Sequence, residues 1–398
     1  MDTTNIGKEK SGVIAVCKRE LHLIVTNVCL MLLIFAAPLV YPFLYNSIYM
    51  NKFERDVPIS IVDLDHTQCS RQFIRNLDAH ELITVSNITE NVNAAYEKLQ
   101  DLQAMGIVII PSGFEKQQKK KLQSKIHVAT NNTRFMVASD INRAVADIIS
   151  NYGYTSTTET FQKAGFSTDQ AKKMAEPIHP VVVNCFNITE SYGDAMIAAL
   201  FIIILQQSLL IGVALSMAAE NEDKAIPVLL KTSKNSPFVL LLGKGCLYLL
   251  LYASYVVFYF TFHAQLYKVP FFGSYTALSV LFMLLFPVII IMGLFFGSFF
   301  KTRLMALIVL MVSAYPIFLV SGYAWPFQSL PPFLQYAAEL LPSTPFFSAY
   351  TVCTKMGGAL VEIIPQILHL IVLTAIYYVL YWIRFTFFLK EKNTQPSL

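Results

Sequence analysis

Apolar and polar positions along this chain fall into long blocks instead of alternating evenly. Six apolar runs without Asp, Glu, Lys or Arg occupy 28–48, 195–219, 247–262 (with flanks from 237), 275–300, 304–323 and 363–383. A hydrocarbon core needs roughly 20 apolar residues at about 1.5 Å rise each. A charge at a helix centre costs about 2.5–3.5 kcal/mol on insertion scales. The pattern therefore predicts six transmembrane helices. The first run is too long for a signal-peptide core and is followed by no small-residue cleavage site. It ends in Tyr41, Tyr45 and Tyr49, which suit an interfacial belt, so it reads as a retained anchor.

Between the first and second runs lies a polar insert of about 140 residues. Its pattern predicts short strands at 57–62, 82–85, 106–110 and 125–129. Helical patterns fall between them at 68–77, 92–102 and 114–122, then at 133–163 and 167–175. Strands alternating with helices imply a compact α/β domain. The fold class is thus an α-helical polytopic membrane protein with six transmembrane helices and an inserted α/β extracytoplasmic domain. The expected division is 1–48 (amphipathic helix and first span), 49–190 (outer domain) and 191–398 (five spans). The last part includes a cytoplasmic loop at 220–236 and an outer re-entrant region at 324–358. Ahead of the first span, Ile14, Cys17, Leu21, Ile24 and Val28 recur at helical spacing, with Lys18, Arg19, Glu20 and His22 largely off that stripe. This predicts an amphipathic helix in the interface. The alternative is an early start of the first span.

Charge sets direction. Lys8, Lys10, Lys18 and Arg19 precede the first span; Lys224, Lys231 and Lys234 follow the second. Lys301 and Arg303 follow the fourth, and Arg384, Lys390 and Lys392 lie at the end. The opposite short loops hold only Lys268 and Lys355. Positive residues stay inside, so both termini are expected in the cytoplasm and the insert outside. Charged residues make up 14% of the chain, against about 25% in soluble domains. The net charge of +4 is too small and too scattered for a nucleic-acid partner. Six cysteines show no CxxC spacing, which argues against zinc. A Cys69–Cys185 bridge is an open alternative to unbridged thiols.

Several enzyme signals fail on inspection. Asp63-Leu64-Asp65-His66-Thr67 after an apolar strand has the DxDxT form of aspartate-nucleophile phosphatases, but the later lysine and acidic motifs are missing. Capping of the following helix is the expected role. His80-Glu81 lacks the second histidine of HExxH, and no GxSxG elbow or GxxxxGK[ST] phosphate loop occurs. The Asn87, Asn131 and Asn187 triplets match glycosylation sequons of low specificity. His369 in the last span is expected to be packed and hydrogen-bonded.

The loop after span two reads Glu220-Asn-Glu222-Asp223-Lys224-Ala-Ile-Pro227-Val-Leu229-Leu230-Lys231-Thr232, continuing to Gly243-Lys244. A charged cluster followed by an amphipathic turn can dock a soluble partner at the membrane face. The order Glu-x-Glu, Leu-Leu-x-Thr, Gly-Lys resembles permeases of the ABC type-2 exporter family. Ser321-Gly322-Tyr323-Ala-Trp325-Pro326 with Pro331, Pro332 and Pro342 is similar to that family's outer loop between spans five and six. Val62–Thr67 and Ile110-Pro111-Ser112-Gly113-Phe114 resemble the outer domain of the subgroup with a large insert, which includes drug and lipophilic-compound exporters. Two departures stand out: Lys224-Ala225 replaces a common Gly-Thr, and Pro227 an often acidic residue.

The resemblance implies a permease subunit that moves a drug-like or lipophilic compound outward and has no ATPase site or cofactor of its own. ATP and Mg would be bound by a cytosolic ABC ATP-binding subunit. A second permease copy or paralogue, membrane lipids and a periplasmic adaptor complete the implied partners, and the place is the bacterial cytoplasmic membrane. Glu220, Glu222, Lys224, Leu229, Leu230 and Thr232 would couple to the ATPase. Gly322, Tyr323, Pro326, Pro331, Pro332 and Pro342 would form an outer gate. The rival reading is a receptor or scaffold whose outer domain binds a ligand.

Overall fold

The structure is a computed structural model, and the residues described are 11–48, 55–176, 185–186, 192–269 and 271–394. The chain divides into two compact units, one formed by Met1–Met50 with Asn184–Leu398 and the other by Asn51–Val183. The borders expected near 49 and 190 fall outside the described residues.

The first unit opens with α1 (Val13–Thr26). Asn27 then takes an extended backbone, and its side chain accepts the N–H of Leu30 at 3.1 Å. One residue therefore ends α1 and caps α2 (Val28–Ile48), the first apolar span. The outward face of α1 carries Ile14 and Leu21, whereas Val16, Glu20 and Ile24, spaced by four, are buried. Of the expected apolar stripe, Ile14, Leu21 and Val28 thus point away from the protein, whereas Ile24 points into it. Glu20 points into it, contrary to the expectation of a polar face turned to water.

The second unit is a four-stranded sheet of order β2-β1-β3-β4. In chain order it runs β1 (Val57–Asp63), α3 (Gln68–Asp78), β2 (Ile83–Thr89), α4 (Val92–Gln100), β3 (Gly106–Ile110), α5 (Phe114–Lys119), β4 (His127–Thr130), α6 (Phe135–Lys163) and α7 (Thr168–Ala175). Central β1 lies parallel to β2 and β3, and β4 closes the sheet antiparallel to β3. Side chains alternate between faces. Ile59, Ile61, Val108 and Ile110 meet Phe73, Phe114 and Ile141 on one side, and Val62 and Ile107 meet Ala95 on the other. This double cover is why β3 reads as a continuous apolar run. The helical pattern at 133–163 is one helix of 29 residues, and Ser167 caps α7 in a reciprocal box with Gln170.

The remaining helices of the first unit are α8 (Tyr192–Glu222), α9 (Ile226–Thr232), α10 (Pro237–Leu266), α11 (Tyr275–Gly297), α12 (Arg303–Val320), α13 (Pro332–Glu339), α14 (Ser343–Thr354) and α15 (Ile364–Thr394). With α2, five of these (α8, α10, α11, α12 and α15) make six helices long and apolar enough to cross a membrane among the described residues. The most apolar stretch of α8 is 83% buried and that of α12 only 11%, so α8 is the centre of the bundle and α12 its open flank.

Two prolines in α2 explain a row of tyrosines in α10. Pro38 has no N–H to give the carbonyl of Ile34, four residues earlier, and Pro42 has none for the carbonyl of Pro38. The Tyr255 hydroxyl donates to Ile34 O at 2.9 Å, and the Tyr259 hydroxyl donates to Pro38 O. Helix-breaking residues are tolerated at membrane depth when a neighbour satisfies the freed groups. The four-residue spacing of the prolines is matched by that of the tyrosines.

Candidate functional site

The loop between α8 and α10 is built on a ladder between those two helices. Ser208, Gly212, Ser216 and Glu220 recur every fourth residue and so share one face of α8. Antiparallel α10 presents Tyr252, Tyr248 and Lys244 at the same interval. The Tyr252 hydroxyl donates to Ser208 Oγ at 2.9 Å and Lys244 Nζ to Ser216 Oγ at 2.7 Å.

At the loop end of this ladder α1 crosses, so close to α10 that a Cβ on Gly243 would lie 2.4 Å from Val16 Cβ. Glu20 of α1 accepts Lys244 Nζ at 2.5 Å and the Tyr248 hydroxyl at 2.8 Å. Arg19 donates from Nε and Nη2 to the two oxygens of Glu220 at 3.0 and 2.7 Å, a bidentate fork. Lys244 Nζ also lies 3.6 Å from Glu220. Glu20, Glu220 and Lys244 are each 1% exposed, and Arg19 is 32% exposed. Two cations and two carboxylates from three helices thus neutralise one another. Burial of charge is tolerated on that condition. The sequence pattern leads one to expect a third span free of charge. Because α10 begins at Pro237, it carries Lys244 inside, and Glu20 and Glu220 offset the cost of that placement.

The next three residues grip other elements. Asn221 Nδ2 donates to the carbonyls of Ser298 and Phe300 at 3.2 and 3.0 Å, beyond the end of α11. Glu222 accepts the backbone N–H of Arg303, the first residue of α12, at 2.6 Å and lies 3.1 Å from its guanidinium. Asp223 takes the same guanidinium at 2.5 Å. Four consecutive residues therefore hold α1, α10, α11 and α12.

Lys224 adopts φ +52, the left-handed region that favours glycine. The glycine that the family resemblance implies at this position would adopt that conformation without strain. Pro227 lies in the first turn of α9, where its missing N–H costs no helical bond. Both departures keep the turn and the helix intact. Leu229 and Leu230 are buried under α9, and Thr232 O accepts Gly12 N–H from the start of α1 at 2.8 Å. Of the six residues expected to couple, Glu220, Leu229 and Leu230 thus face inward. Glu222 and Lys224 are exposed, and Pro227, Val228 and Lys231 join them on the free surface.

At the opposite end of the bundle the chain leaves α12 through Gly322 at φ +84. Pro331 and Pro332 start α13 and Pro342 starts α14, so the prolines set helix beginnings. Phe346 and Phe347 of α14 are fully buried. Gly322, Tyr323 and Pro326 line a cavity of about 690 Å³ with Phe347, Ser348, Thr351, Gln366 and His369. Pro331, Pro332 and Pro342 lie outside that lining. The His369 ring lies 2.9 Å from the Glu339 carbonyl.

The DxDxT segment is occupied by folding contacts. Asp63 accepts the N–H groups of Asp65 and His66 at 3.0 and 3.1 Å and the Ser70 hydroxyl at 2.8 Å. Thr67 caps α3 in a box with Ser70. Asp65, by contrast, caps a different helix. It accepts the Thr67 hydroxyl at 2.6 Å and Glu115 N–H, in the first turn of α5, at 3.0 Å. Desolvation pushes the Asp65 carboxyl up. The hydrogen bonds from Thr67 and from the backbone of Glu115, Gly113 and Phe114 outweigh it and hold the carboxyl below its ordinary range. Among the described residues, no group of three or more His, Cys, Asp or Glu could hold a metal ion. Cys69 is not bridged; its sulfur lies 2.6 Å from the Tyr152 hydroxyl.

Sequence reasoning missed Arg19, Glu20, Tyr248 and Arg303 as partners of the loop. The available signal was a glutamate inside an otherwise apolar i, i+4 row, Val16-Glu20-Ile24.

The sequence profile described as ABC-2 family transporter protein matches residues 29–383. The linearmycin resistance permease protein LnrN of Bacillus subtilis (strain 168) is 26% identical over 371 residues, covering 88% of this chain and 93% of that protein. A match over most of the length, across all six spans and the insert, places this multi-pass membrane chain in the ABC-2 transporter family as a permease subunit.

Proposed function

We propose that the chain is the membrane half of an ATP-driven exporter of drug-like, lipophilic compounds, powered by a separate ATP-binding subunit that holds ATP and Mg. Two permease chains and two ATP-binding subunits form the transporter, in a bacterial cytoplasmic membrane with both permease termini inside. The observation that carries this reading is the buried Arg19–Glu220–Lys244–Glu20 network. It fixes an interfacial helix, a protruding loop and two spans to one another. A push on the exposed Glu222, Lys224 and Val228 surface is then delivered to α8 and α10 together, because packed helices move as units between discrete arrangements. Export of a lipophilic compound is further supported by the resistance named for the Bacillus subtilis relative.

The cavity behind Gly322, Tyr323 and Pro326 serves in this reading as the outer gate, where the compound leaves. In the test, susceptible cells receive the chain together with its ATP-binding subunit and are challenged with linearmycin. Growth at concentrations that stop control cells is expected, and it should vanish with Glu220→Gln or with an ATP-binding subunit that cannot hydrolyse ATP. Equal sensitivity of all strains, with the proteins present in the membrane, would falsify the drug-export reading.

A further inference from the structure

Gln206 and Gln207 stand in the middle of the apolar run 195–219 and are buried, 3% and 6% exposed. Gln206 Oε1 and both amide atoms of Gln207 have no hydrogen-bond partner among the described residues. Exchanging the amide oxygen and nitrogen of Gln207 leaves the deficit unchanged, because neither position is met. The neighbouring Ser208 shows what the same helix does when a polar group is purely structural. Its hydroxyl donates to Ile204 O at 2.6 Å and accepts from Tyr252. An unsatisfied amide at membrane depth is costly and marks function by default.

The place of these amides in the bundle narrows their use. Leu210 and Val213 lie against Gly293, and Ala214 against Gly297. Gln206 and Gln207, one or two turns earlier, therefore share the side of α8 that faces α11. The flank beside that seam is α12, which packs on α8 yet is the most exposed of the six spans. Thirteen residues along the same helix, about 20 Å away, is Glu220. One rigid helix thus carries the charge network at its end and unmet amides at its middle.

We infer that Gln206 and Gln207 form a binding site for a hydroxyl or amide group of an otherwise apolar molecule travelling through the bundle. The inference rests on the export reading. Thermal opening of the seam beside exposed α12 admits the molecule without nucleotide, and its polar group takes the hydrogen bonds that the closed bundle leaves unmade. Purely hydrocarbon molecules gain nothing there, so the site selects amphiphiles over lipid tails.

The test uses the purified full chain in phosphatidylcholine nanodiscs and two photoreactive probes. These are 1-hexadecanol and hexadecane, each with the same mid-chain diazirine. The alcohol is expected to label the peptide holding Gln206 and Gln207 several-fold more than the alkane, and both should label exposed α12 equally. Gln206→Leu/Gln207→Leu should erase the preference and raise the melting temperature by roughly 2–4 °C, since an unmet polar group is removed. Gln207→Met provides a near-isosteric second variant, with the same loss expected. Equal labelling by both probes, a preference that survives the leucine pair, or a lower melting temperature would overturn the assignment. Labelling is read without nucleotide or partner. A negative result therefore removes the site and leaves export standing, whereas failed resistance with intact labelling does the reverse.

Discussion

Two carboxylate clusters dominate this chain, and they are held by opposite means. In the insert, Asp63 and Asp65 are satisfied by backbone N–H groups and hydroxyls within a few residues, plus backbone N–H groups of the α5 turn. In the spanning unit, Glu20 takes Lys244 and Tyr248, and Glu220 takes Arg19, each pair 201 or more residues apart in the chain. Asp65 of the first cluster is partly open to water, whereas Glu20 and Glu220 of the second are each 1% exposed. Aspartates so held shape one local turn. Glutamates so held bind separate helices into one body, and the cost of losing one is that of an uncompensated buried charge.

The sharpest way to break this contrast is Glu20→Leu, which leaves buried Lys244 and Arg19 to share the single carboxylate of Glu220. A loss of about 3–5 kcal/mol is expected, seen as a large fall in melting temperature of the solubilised chain. Glu20→Leu/Lys244→Met should recover most of that stability, because an apolar pair of similar volume replaces the ion pair. A double variant as unstable as the single one would mean that the charges are not each other's main partners.

Tyr255→Phe comes next. It leaves the Ile34 carbonyl without the donor that Pro38 cannot supply, at an expected cost of about 1 kcal/mol. The preceding hydroxyl, that of Ser254, is no substitute, because it donates to its own helix at Leu251 O. Thermal unfolding of the variant beside the parent checks the value. No change would show that the carbonyl finds another donor.

Asp65 should give the smallest effect, and one that depends on pH. Its folded pKa is lowered by its hydrogen bonds. Its contribution is therefore complete above the unfolded value of about 3.9 and lost as pH falls through the lower folded value. Stability of the insert, followed by hydrogen exchange at Glu115 in the full chain, should drop in that acid window. In Asp65→Asn the drop should be smaller. A window above about pH 5 would point to another group.

Much of the architecture is legible in the sequence. Strand 106–110 is an unbroken apolar run between turn residues, and the six spans stand out because lipid admits few charges. The exceptions to those rules are not legible. Lys244 falls inside a span because partners from α1 and α8 neutralise it, and no local pattern records contacts across so much chain. Glu20 reads as solvated because polarity on a helix face is normally an outward signal. Gln206 and Gln207 escape a scan for formal charge, although an unpaired amide is nearly as foreign to a membrane. The match of Pro38 and Pro42 to Tyr255 and Tyr259 needs two helices side by side before it means anything. Of the expected gate residues, Gly322 is placed by its turn chemistry, whereas Pro331, Pro332 and Pro342 begin helices.

Glu220, in this account, transmits work as well as stability. The most direct test is the amount of compound exported per ATP hydrolysed, in vesicles holding the permease with its ATP-binding subunit, for Glu220→Gln against the parent. Removing one charge leaves Arg19 and Lys244 facing a single carboxylate. The ratio is expected to fall at least about tenfold while ATP hydrolysis continues, a change of about 1.4 kcal/mol in coupling or more. An unchanged ratio, with equal amounts of both proteins in the vesicles, would contradict it.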